Sequence, residues 1–178
     1  MLMNAMKPKN IRHLNEPGHA RELTFSCFHG KRFFKSDIAS RIFIDAVNAA
    51  RISCSFKVIA YIIMPNHIHL LILPQNDEYQ ISKILSAIKL RISLRISARY
   101  RKKTGKLLGR FWQRGGGYDR NIISKDAVIS SINYIHNNPV RKGLCIRPED
   151  WKWSSAGFYA GSGDGPMKID NEVLGGLI

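Results

Sequence analysis

The stretch Met64-Pro-Asn-His-Ile-His-Leu-Leu-Ile-Leu73 sets two histidines one residue apart. In an extended chain residues i and i+2 share a face, so His67 and His69 project together while Ile68 turns away. Two imidazoles side by side on a rigid strand make half of a metal site. The same spacing also fits a solvated strand face, or a core histidine tied by a hydrogen bond. A second pair stands far along the chain: Tyr134 and Asn138, four residues apart and so on one helix face. Taken alone, a tyrosine and a carboxamide at a helix end read as capping and surface packing. Tyr118 follows Gly115-Gly116-Gly117. Such a run lets backbone amides approach an anion, and equally makes a hinge.

The elements that must position these residues follow from apolar periodicity. Residues 22–28 alternate and read as a strand; Ser36 or Asp37 caps a helix running to about Ser53. The Ile- and Val-rich region 57–73 reads as one or two buried strands interrupted near Pro65. A long helix is expected over about 79–103, with Ile81, Leu85, Ile88, Ile92 and Ile96 on one face. Residues 111–113 read as a short strand and 114–118 as a flexible turn. Residues 125–138 form a helix with Val128, Ile129, Ile132 and Ile135 inward, stopped by Pro139. Trp151, Trp153, Phe158 and Tyr159 either cover the core or offer stacking surfaces to bases. The expected organisation is a lead-in over 1–20, one domain over 21–160 and a mobile tail over 161–178. The order strand, helix, strands, long helix, strand, helix implies an α+β fold, an antiparallel sheet with helices packed on it.

Composition narrows the partners. The 178 residues suit one domain with a real core. Lys and Arg number 28 against 13 Asp and Glu, for a net charge of +15, which points to a polyanion and most often to nucleic acid. Between Gln80 and Tyr118 lie eleven basic residues and no acidic one. Arg91, Arg95 and Arg99 repeat at helical spacing, with Lys102, Lys103 and Arg114 beyond, and this surface is expected to meet phosphate. No apolar run is long enough for a membrane span, and the start of the chain lacks a signal-peptide pattern. Cys27, Cys54 and Cys145 match no zinc spacing and suit a reduced cytosolic protein.

Taken together, His67-Ile-His69 and Tyr134-Ile-x-x-Asn138-Pro-Val-Arg-x-Gly-Leu144 resemble the single-tyrosine HUH transposases. Phe111-Trp-Gln-Arg114 and Trp151-Lys-Trp-Ser-Ser155 add a likeness to the REP-associated tyrosine transposase branch. The resemblance covers roughly residues 20–160. It implies a ferredoxin-like (RRM-like) HUH core, with His67 and His69 as metal ligands and Tyr134 as the nucleophile. Asn138 stands where insertion-sequence relatives carry a glutamine, the third ligand. The implied cofactor is a divalent metal, Mg²⁺ or Mn²⁺. The implied substrate is single-stranded DNA with an imperfect hairpin, cleaved and rejoined through a 5′-phosphotyrosine by a monomer or homodimer, in the cytoplasm at the nucleoid. Tyr118 is the rival nucleophile, but Ile122 occupies the position four residues on. A non-catalytic module for palindromic DNA or RNA hairpins accounts equally for charge and aromatics, and His67, His69 and Tyr134 favour the enzyme over it; a structural RNA-binding protein would leave the paired histidines without a task.

Overall fold

The computed structural model describes residues 15–115, 117–163, 165–170 and 172. In chain order the sheet and its crossovers are β1 (Ala20–Ser26), α1 (Asp37–Ser53), β2 (Phe56–Ile63), β3 (His67–Pro74), α2 (Ile81–Thr104) and β4 (Tyr118–Ile122). The strands lie in the order β2-β3-β1-β4, every neighbouring pair antiparallel. Each crossover helix joins two strands separated by a third, which is the ferredoxin-like split βαβ arrangement. Then come α3 (Lys125–His136), α4 (Asn138–Arg141) and α5 (Ala156–Tyr159).

Strand alternation divides the side chains between two cores. Leu23 and Phe25 of β1 and Ile68, Leu70 and Ile72 of β3 pack with α1 and α2. Leu71, Ala60 and Ile62 pack with Val128, Ile132 and Ile135 of α3 on the opposite face. A register shift between Val58 and Ala60 lets Ile59 and Ala60 in succession face α3. The histidines follow the same alternation. Thr24 faces His69 across the β1–β3 ladder and Ser26 faces His67, so both imidazoles lie on the α3 side of the sheet.

The fourth strand departs from the sequence reading. Residues 111–113 give only an isolated bridge between Trp112 and Cys27, and the strand itself is Tyr118–Ile122. Ile122 alone joins the apolar core on the α3 side, while Asp119 and Asn121 on the other face engage the buried Arg21 guanidinium, with Arg21 Nε donating to Asp119 Oδ1 at 3.0 Å. A strand with a single buried apolar residue lacks the apolar alternation that marks β-structure.

Pro139 does not stop helical structure either. It sits in the first turn of α4, where a missing N–H costs nothing.

The chain ends also differ from expectation. Tyr79 Oη donates to Glu16 O at 3.1 Å, and Ile81 N donates to Asn15 Oδ1 at 3.2 Å, so residues 15 and 16 are tied down. Residues 1–14 of the lead-in expected over 1–20 lie outside the described residues. At the other end Met167 and Ile169 are buried, and Asp170 N donates to Val58 O at 2.9 Å. The segment 165–170 is therefore packed rather than mobile, because two apolar side chains and a backbone bond fasten it to β2. The tryptophans serve the same edge. Ile63 N donates to Trp153 O at 2.8 Å, and Trp151 Nε1 donates to Ile63 O at 3.1 Å. Both cover the core rather than present stacking faces.

Gly117 adopts φ +78°, and a Cβ there would lie 2.0 Å from the Thr24 carbonyl oxygen. Gly105 ends α2 at φ +69° with nothing within 4 Å of its own hypothetical Cβ. Gly105→Ala is therefore expected to cost about 1 kcal/mol, the left-handed backbone penalty alone. Gly117→Ala should cost about 3 kcal/mol or more, since β4 must also back away from β1. Urea midpoints of the two variants compare them directly; equal losses would contradict the tight β1–β4 approach.

Candidate active site

His69 is buried, and its ring lies 5.1 Å from that of His67 and 5.7 Å from that of Tyr134, each pair edge-on. Strand β3 fixes the imidazoles. Helix α3 fixes the phenol, because Ile132 and Ile135 pack it onto the sheet and leave Tyr134, 43% exposed, at its margin. Imidazoles and phenol thus meet within one chain. The Arg141 guanidinium sits 4.9 Å from the Tyr134 ring centroid, a cation–π distance.

Each imidazole is oriented by an oxygen. His69 Nδ1 and Thr24 Oγ1 are 2.8 Å apart, as are His67 Nδ1 and Asn66 Oδ1. An amide oxygen only accepts, so it takes the Nδ1 proton of His67 and leaves Nε2 with its lone pair. This is the arrangement in which outer partners prepare metal-ligating histidines. Burial, with His67 and Arg141 adding, pushes the His69 pKa down from 6.5 to about 3, and burial with Lys142 lowers that of His67. Both rings are therefore neutral near pH 7, the state a metal requires. Asn138 is buried and its Nδ2 donates to Tyr134 O at 2.9 Å, so the amide oxygen is the atom left for a ligand. Among the described residues no three His, Cys, Asp or Glu side chains gather into a metal cluster. Two imidazole nitrogens and an amide oxygen are neutral donors of a kind a hard divalent ion can accept.

His69 and Tyr134 border a cleft of about 410 Å³ together with Glu22, Thr24, Tyr118 and Arg120. The rival Tyr118 thus shares the cleft, but of the two tyrosines only Tyr134 makes ring contact with His69 among the described residues. The Glu22 carboxylate, buried, accepts from Arg120 at 2.6 Å and from Ser131 Oγ at 2.7 Å. Glu22, Thr24 and Arg120 escape sequence reasoning, since single polar residues in a strand carry no signal until the register pairs them. Asn66 and Arg141 lie inside the histidine and tyrosine motifs, beside the residues whose types point to chemistry.

The basic row lies elsewhere. Arg91, Arg95, Arg99, Lys102 and Lys103 are exposed on α2, whose apolar face packs on the side of the sheet away from the imidazoles. Arg95 is paired with Asp45 of α1 at 2.8 Å. Arg114 is exposed in the connection before β4.

The low His69 value has a stability consequence, shared with buried His136, whose pKa burial lowers to about 4. Unfolded, both titrate near 6.5, so below that pH the unfolded chain takes up protons that the folded chain refuses. Stability is therefore full above pH 6.5 and falls as pH drops toward the folded values. Urea unfolding should lose on the order of 3 kcal/mol between pH 7 and pH 5. A flat profile there would contradict the burial of both rings.

A four-stranded ferredoxin-like sheet with two histidines and an apposed tyrosine defines the class to which comparison then assigns the chain. Residues 19–138 match the family model described as Transposase IS200 like, and the chain belongs to that family. A Haemophilus influenzae protein named as a REP-associated tyrosine transposase is 31% identical over 110 residues, 56% of this chain. The chain spans 58% of that relative's length. A solved structure described as a REP-associated tyrosine transposase bound to a REP hairpin shares the fold, with a TM-score of 0.70 at 17% identity. The match covers 91% of this chain and 92% of that one. No described helix is long and apolar enough to cross a membrane.

Proposed function

We propose that the chain is a REP-associated transposase that cleaves and rejoins hairpin-containing single-stranded DNA through a 5′-phosphotyrosine on Tyr134. The observation that carries this reading is the convergence of two oriented, neutral imidazoles and one exposed phenol at the 5.7 Å His69–Tyr134 contact. His67, His69 and the Asn138 amide oxygen would hold Mg²⁺ or Mn²⁺, which supplies Lewis-acid polarisation of the scissile phosphate.

The chain's own residues do the rest. Tyr134 Oη forms a bond to phosphorus as the bond to O3′ breaks; the phenol proton passes to solvent and O3′ takes one up. The covalent bond keeps the phosphoester energy, so an incoming 3′-hydroxyl reverses the step without ATP. Arg141, stacked on the phenol, holds the ring in place and adds positive charge beside the phosphate. Thr24 and Asn66 fix the imidazoles. The exposed cations of α2 (Arg91, Arg99, Lys102, Lys103) and Arg114 give the DNA backbone a second contact, away from the reacting phosphate.

The test is a denaturing gel of hairpin single-stranded DNAs incubated with protein and Mn²⁺. A protein–DNA adduct that EDTA abolishes is expected. Binding without an adduct across a range of hairpins would favour the non-catalytic module instead.

A further inference from the structure

A second cleft, of about 530 Å³, borders His67 but neither His69 nor Tyr134. The two clefts meet the imidazole pair from the two ends of His67-Ile-His69. Two cations, Arg32 and Lys142, line the second cleft, together with Pro65, Asn66 and Leu144. Both cations are exposed, and neither has an acidic partner among the described residues. This is unlike Arg120 in the first cleft, which Glu22 neutralises. Asn66 spends its amide oxygen on His67, and its Nδ2 has no protein partner among the described residues. The volume accommodates a nucleotide. Apolar walls, one amide donor and two uncompensated cations suit a base with a phosphate on either side.

In-line displacement at phosphorus sets the attacking and departing oxygens on opposite sides. Tyr134 borders the first cleft, so the departing O3′ lies toward the second. We propose that this second cleft is the subsite for the strand that ends in the 3′-hydroxyl. It holds that end after cleavage and presents it for rejoining, with Arg32 and Lys142 on its last phosphates and Asn66 Nδ2 on a base edge. The assignment rests on Tyr134 being the nucleophile of the proposed reaction.

The probe is a heptathymidylate with a free 3′-hydroxyl and 4-thiothymidine at its 3′ end. Photo-crosslinking is expected to mark peptides containing residues 64–67 or 142–144. In fluorescence anisotropy the log–log salt slope of binding should fall by about 1.4 in Arg32→Ala/Lys142→Ala, for two phosphates released from a single strand. Both side chains are exposed and have no acidic partner among the described residues, so the variant is expected to fold; Lys125→Ala/Lys168→Ala, as a control, should leave the crosslinked peptide unchanged. A crosslink confined to the Tyr118–Arg120 side, or an unchanged salt slope, overturns the subsite. Failure of the wild type to form any adduct on hairpins, with the crosslink still at 64–67 or 142–144, overturns the reaction and leaves the 3′-end subsite standing.

Discussion

Tyr134→Phe is expected to abolish the covalent protein–DNA adduct, a loss of at least ~10³-fold in cleavage, with hairpin binding kept. The substitution removes one oxygen from a 43% exposed side chain, so the ring packing beside His69 and under Arg141 survives. Tyr118→Phe is the matched control, because both phenols border the same cleft. It should keep the adduct within about tenfold of the wild-type rate. The reverse outcome, with Tyr118→Phe inactive and Tyr134→Phe active, moves the nucleophile to β4 and removes α3 from the chemistry. Mapping the adduct to one tryptic peptide gives the same answer independently.

The second large effect concerns the imidazoles. His69→Ala is expected to lower Mn²⁺-dependent cleavage by ~10³-fold or more, and to weaken Mn²⁺ binding measured by electron paramagnetic resonance. Thr24→Val should have a smaller effect, ~10- to 100-fold, since it removes the 2.8 Å partner of Nδ1 and leaves the ligand atom in place. The graded order separates a metal role from a merely structural one. If His69 only filled space, Thr24→Val would change stability and leave Mn²⁺ affinity untouched. Equal Mn²⁺ affinity in wild type and His69→Ala would end the proposal that these rings hold the ion.

Much of this site is legible in the order of the amino acids, and the reason is geometric. Strand periodicity is two, so His67 and His69 must share a face wherever 67–74 lies in a sheet. Helical periodicity places Ile132 and Ile135 inward and leaves Tyr134 at the margin. What no periodicity reports is which strand lies beside which. Thr24 and Glu22 become site residues only through the β1–β3 and β1–β4 registers, 45 residues from His69 and 98 from Arg120 respectively. β4 escapes because a buried arginine replaces its apolar partners. The basic row on α2 shows the opposite limit: charge pattern reveals an uncompensated surface but not that it faces away from the imidazoles. Pro139 misleads because a proline that ends one helix is equally suited to begin another.

The covering of β2 by residues 151–170 sets the order of events during synthesis. β2 is an edge strand, and an edge left bare is a template for pairing with another chain. Its closure uses Trp153, Ser155 and Asp170, which contact Ile63, Tyr61 and Val58. The ribosome makes that cover about a hundred residues after the edge it protects. At ~5–20 residues per second the nascent sheet waits roughly five to twenty seconds with its flank open. During that interval the strand that borders the histidine strand is open to mispairing between neighbouring nascent chains.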